Sequence, residues 1–207
     1  MKGRIIGAFI WIMALGILLT GCGDRAVTEQ SVVGSRTEQQ TGSVLPAMTQ
    51  EDMIAQSTLI VRGVVTERSE PFYIAPSNGG DPGSFTDYTV SVSEVLYGDS
   101  GTRQIAVRVQ GKTENAGTAD YAPELPIDKE LLIYLYEPDE DDLYRTDGTY
   151  YYVTGMYRGV YLLDTSGDTA QFVNWQNEND PDLQDVWQAE ELEASIRAYV
   201  QEKRSAA

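Results

Sequence analysis

The sequence predicts a small, mainly β Greek-key barrel with a short N-terminal helix and a C-terminal α-helix. Three observations carry this. Short runs of alternating apolar and polar residues recur between Thr58 and Trp175, separated by turns rich in Gly, Pro, Asn and Asp. After Asp180 the apolar residues switch to three- and four-residue steps, the period of a helix. Cys22 is the only cysteine in 207 residues, so no internal disulfide can form and the fold must rest on a core.

The elements follow in order. Thr49 with Asp52 three residues on reads as a capping box, and Met53, Ile54 and Ala55 give the short helix an apolar face. Thr58 to Glu67 is β-branched, with Gly63 marking a bulge or a close backbone approach. The Pro, Asn and Gly cluster between Pro71 and Asp87 reads as a loop. In the next strand Tyr88, Val90 and Val92 alternate with Thr89, Ser91 and Ser93, the pattern slips at Glu94 to Leu96, and Gly98 ends it. Ile105, Val107 and Val109 repeat the alternation. A second loop, Gly111 to Ile127, leads to a run around Leu131 to Tyr136 that is apolar on both faces, as a central strand requires. Strands at Tyr150–Thr154, Gly159–Asp164 and Thr169–Trp175 complete the set, the last two joined by a TSGD turn. Asp180 as N-cap with Pro181 at the first helical position opens the final helix, whose apolar face is Val186, Ala189, Leu192, Ile196, Tyr199 and Val200. Its acids lie early and its bases late, complementing the helix dipole.

The N-terminus places the chain. Lys2 and Arg4 precede an apolar run from Ile5 to Leu19 that ends in small residues, the layout of an export signal. The run is shorter than the roughly 20 residues a spanning helix needs. Leu19-Thr20-Gly21-Cys22 resembles the bacterial lipoprotein box. The resemblance implies cleavage between Gly21 and Cys22, a diacylglycerol group and a fatty acid on the cysteine, and a mature protein moored to a bilayer on the outer side of the cytoplasmic membrane. Several acyl chains anchor stably where one is marginal. Gly23 stands where some inner-membrane lipoproteins carry a retention aspartate, so outer-membrane and single-membrane placement both remain open. Residues 22–47 are polar and without period and read as a tether, with a reach of roughly 25–30 Å. The domain then runs over 48–175, with a C-terminal helical segment over 176–204 packed on it.

Charge and composition exclude several functions. The net charge is −17. Removing residues 1–21 takes away two of the 15 basic residues and none of the 32 acidic ones. So acidic a body does not bind nucleic acid phosphates. The chain has no histidine, which removes Ser-His and Cys-His nucleophile pairs and imidazole metal sites. No catalytic residue is assigned, and the protein reads as no enzyme. A hydrolase using a carboxylate pair is the alternative. The acids between Glu137 and Asp142 could collect calcium, but Tyr144 takes the sixth position of an EF-hand loop counted from Asp139, where glycine belongs. The expectation is therefore no metal and no cofactor beyond the lipid on Cys22.

Tyrosine is the notable excess, with eight of 13 between residues 134 and 161. Alternation puts Tyr134 and Tyr136 on one strand face, and Tyr150 and Tyr152 on one face of the next. If those faces adjoin they form an aromatic platform, and these four are the candidate ligand-binding residues. The pattern from Ser57 through Asp99, Gln104–Gly111 and Glu124–Glu137 resembles the netrin-like OB barrel carried by tissue inhibitors of metalloproteinases. Asp128 stands where that family's turn has glycine, a substitution Asp tolerates. The family's N-terminal chelating cysteine and its disulfides have no counterpart, so an inhibitor-like role is an alternative only. The leading expectation is a lipid-anchored, non-catalytic binding or scaffold domain of the bacterial cell envelope. Its partner would be an envelope protein or a cell-wall glycan.

Overall fold

The computed structural model describes residues 48–111, 122–176 and 184–206. The expected export signal and tether, Cys22 and the expected helix start at Asp180–Pro181 lie outside them. Helix α1 (Gln50–Gln56) begins with the anticipated capping box: the Thr49 hydroxyl accepts from the Asp52 amide and the Asp52 carboxylate accepts from the Thr49 amide. Met53 and Ile54 are buried, while Ala55 faces solvent. Nine strands follow: β1 (Leu59–Arg68), β2 (Phe72–Ile74), β3 (Gly83–Tyr97), β4 (Gln104–Gln110), β5 (Glu130–Tyr136), β6 (Tyr151–Val153), β7 (Val160–Asp164), β8 (Gln171–Val173) and β9 (Val186–Gln188). Helix α2 (Ala189–Ala206) closes the chain. No helix among the described residues is long and apolar enough to cross a membrane.

Five strands close on themselves in the order β1-β3-β4-β6-β5, and β5 pairs back to β1. The β4–β6 pair is parallel and the other barrel pairs are antiparallel. This is a small OB-like Greek-key barrel, as the sequence predicts. Strand β5 explains its doubly apolar run. One edge pairs with β1; the other pairs with β7 near its start and β6 near its end. Leu131, Ile133 and Leu135 point into the barrel, where Leu59, Val61, Val90, Val107 and Tyr151 meet them. Leu132 and Tyr134 point outward, into a second core built with Met53, Ile54, Ile60, Tyr161, Phe172, Leu192 and Ile196. The second core exists because β7–β8–β9 extend the sheet beyond the barrel and the two helices cover its outer face.

Gly63 serves both expected purposes. The β1–β3 register shifts beside it, and a Cβ there would sit 2.7 Å from the Ser91 carbonyl oxygen and 2.8 Å from Val90 Cγ1. Gly63→Ala is expected to cost about 1–3 kcal/mol, because the strand must move away from Ser91. Denaturant unfolding measures this, and an unchanged midpoint would contradict the close approach. Asp128 adopts a positive φ of 59°, the turn that a glycine would otherwise serve.

Two expectations are corrected. The 71–87 segment is not one loop: Phe72–Ile74 pairs with Gly83–Phe85 as a hairpin, which leaves 75–82 as its loop. The cross-strand pairing of Phe72 with Phe85 outweighs the turn residues between them. Val186 belongs to β9, paired with Val173, and α2 starts three residues later at Ala189. Edge pairing to β8 claims the stretch that the helical period also fits. In the loop before β5, Leu125 is buried in the barrel core. The rest of α2 keeps its expected face, with Leu192 and Ile196 fully buried. An ion network pins it: Arg62 on β1 meets Glu130 at 2.7 Å and Glu193 on α2 at 2.9 Å, and Arg197 bridges Glu94 and Glu193.

Candidate functional site

The outer face of β3, β4 and β6 carries an aromatic cluster around one arginine. Alternation on β4 turns Val107 and Val109 inward and Arg108 outward. Arg108 is only 7% exposed. Its Nε and Nη2 donate to the two carboxylate oxygens of Asp87 on β3 at 2.7 and 2.8 Å, and Nη1 donates to Thr146 Oγ1 at 2.8 Å. Its guanidinium lies 3.9 Å from the Tyr150 ring centroid and 5.1 Å from that of Phe72. Burial works against its charge, but the hydrogen bonds and charge of Asp87 win and raise its pKa. The group is a fixed keystone, not a free cation.

Around it the rings pack in pairs. Phe85 meets Tyr144 at 5.2 Å and Phe72 at 6.4 Å; Tyr152 meets Tyr136 and Tyr150, each at 5.6 Å. The register explains the Tyr136–Tyr152 pair, since these residues sit directly opposite on β5 and β6. The 137–150 segment folds over this end. Asp142 Oδ1 accepts from the Tyr144 amide at 2.7 Å, and the Ser77 amide donates to the Leu143 carbonyl, joining the β2–β3 loop to the β5–β6 loop.

Between these parts lies an open cleft of about 170 Å³. Tyr136, Tyr144, Tyr152 and Phe85 supply its aromatic lining, Arg108, Gln110 and Asp142 its polar groups, and Gly111 and Pro123 part of its rim. Asp142 is the one carboxylate among the described lining residues. Burial pushes up the Tyr136 and Tyr152 phenols, and the Asp142 charge pushes both further. The neighbouring acids Glu140, Asp141 and Asp147 line a shallow depression shared with Arg145 and Ser77. Among the described residues no group of three or more acids is arranged to hold a metal ion.

The structure divides the four tyrosines singled out in the sequence. Tyr136, 37% exposed, and the half-buried Tyr152 line the cleft together. Tyr150, 4% exposed, lies beneath them as the stacking partner of Arg108. Tyr134 shares the outward direction of Tyr136 but is fully buried, its hydroxyl accepting from Gln50 of α1 and its ring edge-on to Tyr161 at 6.2 Å. It is a core residue and not part of a platform. The reason is that α1 covers one end of β5 and leaves the other bare.

Sequence reasoning missed Arg108, Asp87, Phe85 and Phe72. One signal was present: Arg108 and Asp87 each interrupt a strand on its polar face, at positions that pair across β3 and β4. Nothing in the chain order reveals that the β5–β6 loop would bury them. No family model matches the chain, and no curated protein matches it.

Proposed function

We propose that this chain is a lipid-anchored binding domain of the bacterial cell envelope, without catalytic activity, and that its ligand meets the Tyr136–Tyr152 cleft. The observation that carries this is the cleft itself: an aromatic depression on the outer barrel face, edged by Asp142 and Tyr144 of the β5–β6 loop and by Gly111, Ala122 and Pro123 of the β4–β5 loop. OB-type barrels bind their ligands on this kind of face and between such loops. The warrant from fold is an analogy, and the cleft chemistry adds to it. The barrel interior supports the same reading by exclusion, because it is filled by fifteen buried residues and leaves the outer face to do the binding. The lipoprotein box at Leu19 to Cys22 supports the placement, and the netrin-like resemblance is retained as part of the proposal. The ligand is a cell-wall glycan or an envelope protein.

The test uses the full-length chain with a photo-reactive residue at Met156, on the cleft lining, irradiated in intact envelopes. Wild-type protein is expected to cross-link to envelope material. Tyr136→Ala with Tyr152→Ala is expected to lose most of that product while keeping a cooperative melt. Equal cross-linking by the double variant would remove the cleft from the proposal. Cys22→Ser is expected to stay unprocessed or leave the membrane fraction, and unchanged membrane partitioning would refute the anchor.

A further inference from the structure

The geometry points to an organic ammonium group as the chemistry that the Tyr136–Tyr152 cleft accepts. This rests on the binding function proposed above and names the ligand class of the same site. Size is the first argument. About 170 Å³ is well below the roughly 300–1,000 Å³ of sites that enclose whole drug-sized ligands, so one side chain or head group enters rather than an extended chain.

Wall chemistry is the second. Tyr136 and Tyr152 lean at 38° with centroids 5.6 Å apart, a splayed pair rather than a closed stack, and Tyr144 completes the aromatic lining. Aromatic rings attract cations through their negative faces, and such contacts strengthen when water is excluded.

Sign of charge is the third. Arg108 would repel a cation if its charge were unmatched. Both Asp87 oxygens take it, Thr146 holds a further nitrogen, and the Tyr150 ring covers one face. Asp142 accepts a backbone amide from Tyr144, which leaves its negative charge intact on the lining. With Arg108 matched by Asp87, Asp142 is the remaining charge on the described lining. Anions are therefore disfavoured, and a neutral sugar ring lacks the positive charge that Asp142 and the ring faces attract.

Substituted ammonium groups come from two sources: quaternary head groups, and the primary amines of lysine-type side chains or amino sugars. The experiment titrates full-length chain in neutral detergent with tetramethylammonium, n-butylammonium, neutral neopentyl alcohol and methyl glucoside, read by ligand-detected magnetic resonance. At least one cation is expected to bind, with neopentyl alcohol weaker by roughly tenfold or more, the scale of a desolvated cation–π contact. Added salt should weaken the cation and not the alcohol. Asp142→Asn keeps the acceptor oxygen for the Tyr144 amide, so it should leave the melt unchanged and weaken the cation several-fold. Tighter tetramethylammonium assigns the quaternary source, and tighter butylammonium the primary amine. Equal binding of neopentyl alcohol overturns the assignment, as does preferential binding of methyl glucoside or silence toward both cations. If silence comes with a persisting envelope cross-link at Met156, the ligand class alone falls. If the cross-link is also missing, the binding function falls with it.

Discussion

Tyr134→Ala is expected to destabilise the domain by about 3–5 kcal/mol, the range for truncating a fully buried aromatic side chain. In a domain of this size that lowers Tm by roughly 10 °C. The loss comes from the cavity left between α1, β5 and Tyr161, together with the stranded Gln50 side-chain amide. Tyr136→Ala, two residues along the same strand face, is expected to stay within about 1 kcal/mol, because its ring is substantially exposed. Thermal melts of the two variants make the comparison, and equal behaviour would contradict the division of the four tyrosines. The same burial has a signature at high pH. Burial raises the Tyr134 phenol far above its usual value, with Tyr161 adding to the shift and Gln50 opposing it; the Tyr161 phenol is raised as well, by burial first. Both stay protonated in the folded chain at pH values where the unfolded chain has released its phenolic protons. Their stabilisation is complete below about pH 10 and is lost as pH climbs toward the folded values, at roughly 1 kcal/mol per pH unit for each. Tyr134→Phe should shallow that alkaline slope, and an unaltered slope would argue that the phenol is solvated.

Arg108→Ala is expected to cost about 2–4 kcal/mol. Removing one member of a buried ion pair strands its partner, and the 30% exposure of the Asp87 side chain moderates the penalty. The stacking surface for Tyr150 and the bond to Thr146 go with it. Arg108→Lys should recover little, since an ammonium cannot hold both Asp87 oxygens and lie flat on a ring. Asp87→Ala combined with Arg108→Ala should destabilise by less than the sum of the two, with a coupling of about 1–3 kcal/mol. Additive losses would show that the fork-to-fork geometry contributes nothing. Because Arg108 anchors Thr146 of the β5–β6 loop, its loss should also loosen the cleft that Tyr144 of that loop helps to line.

Much of this fold was legible because strand alternation is local. Val90 and Val107 announced the barrel interior, and Gly63 announced the tight β1–β3 crossing, from their immediate neighbours alone. The β2 strand and the Val186–Gln188 part of the 176–204 segment were not legible. Phe72–Ile74 becomes a strand only because Gly83–Phe85 offers it an edge, and Val186 joins a sheet because β8 is there to receive it. Non-local partners decide such segments, and chain order does not carry them.

The sequence by itself determined a disulfide-free, acidic β-barrel with a helical end, because these rest on composition and period. Only the tertiary structure decided which tyrosines serve the core and which serve the cleft. Tyr134 and Tyr136 share residue type, strand and facing direction, and differ in whether α1 lies over them. That cover is set by packing between elements far apart in the chain, as are the Asp87–Arg108 pair and the loop that closes on it.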